Sequence, residues 1–338
     1  MKYFRLLFVS ICLSLMAVSA FADDEKIGVY THLTEISGGD FDAVSAALEA
    51  AIEASAFELL GRRELHTPDP HGYRATVFVL TDSAFLAAAS KVEANRFLAV
   101  PLRFAVYEGA GRASVKINMA NPVAAAHVYF HEAEGVDALL AMAKLLKARM
   151  VALVDAAFEN VAAKEGEPLR SASDLQGYNG DGPAKVMAMF KDFESSLKAI
   201  AKVKTGDDAQ SAFEQACVLF EKNIAKTKEG WRIVGAIHGD GRRLYSISRP
   251  HTEELALRIV GLARDSDADP APGIDHAAAF PIEVLIYEED GKIITATLGE
   301  MWRMQFYFWD AGYGAFAKHA QVPSQIFSSI KNVIKGKK

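Results

Sequence analysis

Residues 100–111 read VPLRFAVYEGAG and residues 280–291 read FPIEVLIYEEDG, in register at a constant offset of 180. Pro101 matches Pro281, Tyr107 matches Tyr287, Glu108 matches Glu288 and Gly111 matches Gly291. Leu102, Phe104 and Val106 alternate with their neighbours in one copy, and Ile282, Val284 and Ile286 do so in the other. Period-two alternation of branched and aromatic residues, opened by proline and closed at glycine, predicts a strand entering a hairpin. The returning strands fall at 114–119 and 293–298. Each large apolar side chain buried contributes about 1.5–3 kcal/mol, so the two ribbons anchor two cores.

The correspondence extends upstream with gaps. FELLG (57–61) parallels WRIVG (231–235), and each follows an amphipathic helix, 41–54 or 209–226, in which Leu48 and Ile52 answer Phe220 and Ile224. Turn-forming stretches at 66–72 and 238–241 lead to strands at 75–80 and 243–248. Helical spacing follows at 83–95 and 252–263, with Asp82 and Thr252 as N-caps. A first strand at 27–34 has its counterpart at 197–204, whose Ala and Lys content suits a helix equally. Each half therefore reads β-α-β-β-α-β-β-α, an α+β chain of two similar sheet-plus-helix domains. One long helix is expected over 135–164, then a polar Gly-, Pro- and Ser-bearing linker, KEGEPLRSASDLQGYNGDGP (164–183). A helix at 324–334 and a basic KGKK tail close the chain. The expected divisions are 1–22, 23–135, 136–190 for the connector and linker, and 191–338.

Lys2 and Arg5, an apolar run over 6–18 and Ala20-Phe21-Ala22 before Asp23 make a secretory leader, with cleavage expected before Asp23. The run is too short for a permanent membrane span, and no later 18-residue apolar run occurs. Ile11 stands where a small residue would precede a lipidated Cys12, which argues against a lipid anchor. The expected location is periplasmic or secreted. Cleavage would leave Cys217 as the lone cysteine, so stability rests on core packing rather than on a disulfide. The net charge of −6, more negative once Lys2 and Arg5 are removed, disfavours nucleic acid and anionic lipid as partners.

With the prolyl strand, the YE pair and the glycine hairpin in place, the chain resembles the domain-of-unknown-function family numbered 302. There a segment like lPlrvlVyeddGkv precedes a short NP turn. VPLRFAVYEGAGRASVKINMANP (100–122) fits nearly throughout; in the second copy Glu300-Met301-Trp302 replace Ala120-Asn121-Pro122. The resemblance implies a two-layer α+β domain of TATA-binding-protein-like shape that tends to pair, so the repeat would make the chain its own dimer.

No catalytic constellation stands out. His127 and His131, four apart in HVYFHE, would share a helix face and could grip a metal, with Met119, Met142, Met301 and Met304 as soft donors for copper. Two imidazoles do not complete a tetrahedral site, Gln305 and Trp309 replace them in the second copy, and methionines are more often core fillers. MWRMQFYFWDAGYGAF (301–316) is the richest aromatic stretch. Trp302, Arg303, Phe306, Tyr307 and Trp309, with Tyr107 and Tyr287, are the candidate ligand-binding residues, and the competing reading is that the stretch packs one domain on the other. Arg303 and Asp310 could fix a charged ligand group or pair with each other. Glu108 and Glu288 read as hairpin residues before they read as acid or base, and Cys217 as a buried thiol before a nucleophile. No cofactor can be named. The expected function is non-enzymatic binding of a small apolar or amphipathic ligand or an envelope protein; the rival is a metal carrier or metalloenzyme using His127 and His131.

Overall fold

The computed structural model describes residues 25–68, 72–183, 191–261 and 273–337. The expected leader, the middle of the 66–72 turn, the last residues of the 136–190 connector and the end of the 252–263 helix lie outside these. The first half runs β1 (Tyr30–Ser37), α1 (Phe41–Glu53), β2 (Glu58–Glu64), β3 (Ala75–Thr81), α2 (Ser83–Ala89), β4 (Leu102–Glu108), β5 (Ser114–Ala120), α3 (Pro122–Tyr129) and α4 (Val136–Ala157). A two-residue strand, β6 (Lys164–Glu165), follows. The second half repeats the order: β7 (Leu197–Lys204), α5 (Ala209–Lys226), β8 (Arg232–Gly239), β9 (Arg242–Ser248), α6 (Pro250–Leu257), β10 (Ile282–Glu289), β11 (Lys292–Leu298) and α7 (Glu300–Phe308), then α8 (Gly312–Lys318) and α9 (Val322–Ile334).

Both sheets are antiparallel and share one strand order. The first is β2-β3-β4-β5-β1-β6 and the second β8-β9-β10-β11-β7, so the chain is α+β with a sheet and its helices in each half. The alternating ribbons are β4 and β10, at the middle of their sheets, where both faces are covered and the side chains from Leu102 to Tyr107 and from Ile282 to Tyr287 are buried. One stripe of α1, Phe41, Val44, Leu48 and Ile52, faces its sheet, and Phe213, Cys217, Phe220 and Ile224 do the same from α5. Asp40, Asp82, Asn121 and Asp208 cap their helices by accepting a backbone N–H two or three residues on. Among the described residues, no helix is long and apolar enough to cross a membrane.

Several boundaries differ from expectation. β1 starts at Tyr30, and Ile27 makes only an isolated bridge to Arg170. α2 stops at Ala89, a turn follows, and a 3₁₀ segment, Ala94–Ala99, holds only the last two residues of 83–95. α6 is capped at Arg249, not Thr252, because Pro250 is pre-set for the first turn; the Thr252 hydroxyl donates to the Arg249 carbonyl at 2.8 Å. The 135–164 helix ends at Ala157, since Phe158 turns extended (φ −136°, ψ 151°). From there the chain returns along β1: the N–H of Ala162 donates to Leu33 O at 2.9 Å, that of Gly166 to Tyr30 O at 2.8 Å, and β6 pairs with Thr31 and His32. The polar linker thus supplies a sheet strand, because its backbone groups find partners on an otherwise open edge.

The halves meet along reciprocal contacts. Both β2 and β8 carry a bulge, between Leu59 and Gly61 and between Ile233 and Gly235. A methyl at Gly61 would lie 1.9 Å from Val234 O, and one at Gly235 would lie 2.9 Å from Leu60 Cβ. Absence of a side chain at these two bulges is what lets the edge strands approach. The 3₁₀ segment Ala94–Ala99 lies against β10, while Ile274–Ala279 lies against β4.

Candidate functional site

The aromatic run forms α7, and this helix is buried on nearly every side. Trp302 and Arg303 are each 1% exposed, Phe306 and Tyr307 are buried, and Trp309 is half-buried one residue past the helix end. Trp302 stacks on Phe306 with ring centroids 5.2 Å apart and meets Tyr129 of α3 at 6.1 Å. Tyr178, from the linker, completes the group: it meets Trp302 and Phe306 edge-on and its carbonyl accepts the indole N–H of Trp302 at 3.2 Å. Arg170 lies over the rings of Tyr178 and Phe306 and pairs with Asp181, whose carboxylate also accepts the Tyr178 hydroxyl at 2.8 Å. The candidate residues of α7 therefore join linker, first half and second half in one apolar layer.

Beside this layer runs a buried polar seam. Arg103 of β4 pairs with Glu283 of β10, both nearly inaccessible. Tyr30 donates to the Tyr307 carbonyl at 3.1 Å. The hydroxyls of Tyr30 and Tyr129 are pushed well above the usual phenol range, first by burial and then by the neighbouring Tyr307. Glu300, fully buried, has its carboxyl raised by desolvation against the opposing pull of Arg303, whose Nε lies 3.2 Å away. Farther along the seam, Arg63 of β2 grips Glu253 of α6 with two bonds of 2.7 and 3.0 Å, and the His66 N–H and Ser248 hydroxyl satisfy the same carboxylate. A void of about 10 Å³ bounded by Arg103, Asn121, Tyr129, Phe306 and Tyr307 has room for about one water.

The remaining expected positions are dispersed. Tyr107 and Tyr287 are buried near the ends of β4 and β10, and burial pushes the Tyr287 hydroxyl up to about 12. Glu108 accepts the Arg74 backbone N–H at 2.7 Å, just before β3, while Glu288 is solvent-exposed. Cys217 is buried in α5 and burial raises its thiol. Met119 and Met304 are buried in β5 and α7, Met142 packs on the core from α4, and Met301 is half-buried on α7. His127 is buried on α3, its imidazole held below the usual range by burial and then by Lys144. α3 ends at Tyr129, so His131 lies beyond the helix in a turn, 3.6 Å from Glu132. The shared helix face expected of this pair does not extend that far, because the backbone at Phe130 leaves helical values (φ −102°, ψ 7°).

Two features escaped the sequence. Asp310 pairs with His276, not with Arg303: both its carboxylate oxygens lie 2.8 Å from His276 Nε2, and Asp275 joins them so that one donor atom from each lies within 4.8 Å of the others. These residues are 34 positions apart in sequence and no local spacing announces them. The second feature is a groove of about 710 Å³ between β7 and α5, lined by Val203, Ala212, Ala216, Leu219, Phe220 and Ile334. Val203 and Leu219 are more than half exposed.

No family model and no curated protein matches the chain. Among solved structures, the uncharacterized conserved protein DUF302 from Bacillus stearothermophilus is a neighbour over 38% of this chain and 98% of its own, at 15% identity and a TM-score of 0.30.

Proposed function

We propose that this chain is an exported, non-enzymatic interaction protein, a tandem pseudo-dimer of the family that the prolyl ribbons resemble. It holds an extended segment of an envelope partner along the β7 edge. One observation carries this reading: matching edges of the two sheets are treated differently. β1 is closed by the chain's own return segment, 158–166, through β6 and the bonds at Ala162 and Gly166. Among the described residues nothing pairs with the outer edge of β7. Its flank is apolar, with Val203, Val218 and Leu219 exposed beside the groove. An open strand edge offers backbone donors and acceptors that an added strand satisfies, while the adjoining apolar groove selects alternate side chains. Lys198, Lys202 and Lys204 are exposed along β7, which favours a segment with acidic residues among its apolar ones. The return segment is itself such a sequence, FENVAAKEGE at 158–167.

The test uses a fluorescently labelled peptide of that sequence titrated into the mature chain. Saturable binding at micromolar concentration is expected, weakened at least tenfold by Val203→Glu with Leu219→Glu, both at exposed positions. Absence of saturation, or indifference to the double variant, sinks the reading. So does a concentration-dependent dimer in sedimentation that the same variant abolishes, because the occupant of β7 would then be a second copy.

A further inference from the structure

The seam carries a second site, independent of the β7 edge. The 3₁₀ segment Ile274–Ala279 of the second half lies against β4 and β5 of the first, and the Asp275 carbonyl accepts the Asn118 side-chain amide at 2.7 Å. This contact fixes Asp275 and His276 at the boundary. His276 is 2% exposed, with its ring 4.7 Å from Phe308 and 6.0 Å from Tyr30. Asp310 reaches it from the turn after α7 and is partly open to solvent.

We propose that Asp275, His276 and Asp310 bind a divalent transition-metal ion at the boundary between the halves, with solvent completing the shell on the open side of Asp310. Donor chemistry supports this assignment. Imidazole nitrogen and carboxylate oxygen bind Zn²⁺ at about 2.0–2.2 Å. Two such donors at octahedral angles stand about 3 Å apart and at tetrahedral angles about 3.4 Å, so the 2.8 Å between His276 Nε2 and the Asp310 oxygens is close to the octahedral spacing and opens slightly for a tetrahedral ion. The imidazole in the set disfavours Ca²⁺ and Mg²⁺, which take oxygen shells.

The matching place in the first half carries its own cation. At the offset of 180, Asn95-Arg96 stand where Asp275-His276 stand. Arg96 donates to Tyr129 O at 3.0 Å, pairs with Glu194 at 2.6 Å and Glu93 at 3.4 Å, and lies over the Phe193 ring. A guanidinium thus balances carboxylates there permanently. In the second half two carboxylates converge on an imidazole, a donor set of the kind that transition-metal ions take.

The experiment loads the untagged mature chain with Co²⁺, whose visible d–d bands report inner-sphere imidazole and carboxylate ligands, and then displaces it with Zn²⁺ in a calorimetric titration. One ion per chain is expected. Asp310→Asn, at a partly exposed position that folding tolerates, should abolish the bands and weaken Zn²⁺ at least thirtyfold. The double variant His127→Gln, His131→Gln should leave both readouts unchanged. Absence of bands in the parent chain, bands that persist in Asp310→Asn, or bands lost only in the His127, His131 variant would overturn the assignment.

Discussion

The two halves agree where they face their own cores and differ where they face each other. Inside, apolar answers apolar: Leu102 and Ile282, Phe104 and Val284, Leu48 and Phe220 are all buried against their own sheets or helices. At the seam the matched positions differ in chemistry. Arg103 stands opposite its own counterpart Glu283, and Asn95-Arg96 match Asp275-His276. A dimer of identical chains would set like against like at a position that meets itself. A single chain carrying both halves can place opposite charges there, and a buried pair is tolerable only when both partners are present. The same divergence separates α3 from α7: Ala124 and Ala125 of the first, Trp302 and Arg303 of the second. Small residues let α3 lie close to α4, while large ones let α7 fill the space between halves.

The largest expected effect breaks the charge contrast. Glu283→Gln leaves Arg103 buried without its carboxylate and should cost about 3–5 kcal/mol, read as a lower urea midpoint; exchanging the two residues should recover most of that loss. Next comes the backbone approach. Gly61→Ala drives a methyl into a carbonyl oxygen at 1.9 Å and should cost about 3 kcal/mol, whereas Gly235→Ala meets Leu60 Cβ at 2.9 Å, a smaller overlap, and should cost visibly less. Equal losses would mean the two bulges are interchangeable. A smaller effect comes from giving the first half the cap of the second. Asn121→Gly matches Gly299 and retains most of the capping value, but it removes the amide bonds to Gly28 O and Glu165, both 2.8 Å, for about 2 kcal/mol.

The smallest effect is in pH. His127 resists protonation in the folded chain, chiefly through burial, while an unfolded histidine protonates near pH 6.5. Below that pH the unfolded state binds more protons, so this contribution to stability is present at neutral pH and is lost as the solution is acidified. His127→Gln, which copies Gln305 of the second half, should flatten the decline in unfolding midpoint between pH 7.5 and 5.5. An unchanged slope would assign the acid sensitivity elsewhere.

Most strands and several helices were legible because their signals are local. The period-two ribbons gave β4 and β10, the Gly-bearing turns gave the hairpins, and the stripe of α5 matched its expected span to the residue. Even β7, whose Ala and Lys suit a helix, forms at 197–204 because β11 offers it a full ladder. The linker misled because its polarity and glycines are those of a loop, and only the unpaired edge of β1 makes a strand of Lys164–Glu165. The aromatic run was visible as a run, but its partner Tyr178 sits in that same polar stretch.

What the sequence determined by itself is the repeated α+β order, since hydrophobic period, turn residues and caps act over a few positions each. What tertiary structure alone decided is which matched residues meet: Arg103 with Glu283, Gly61 with Val234, and Asp275, His276 and Asp310 with one another. Those pairings depend on how two finished sheets dock, and docking is set by surface shape and the satisfaction of buried charge across long separations in the chain, to which no local pattern responds.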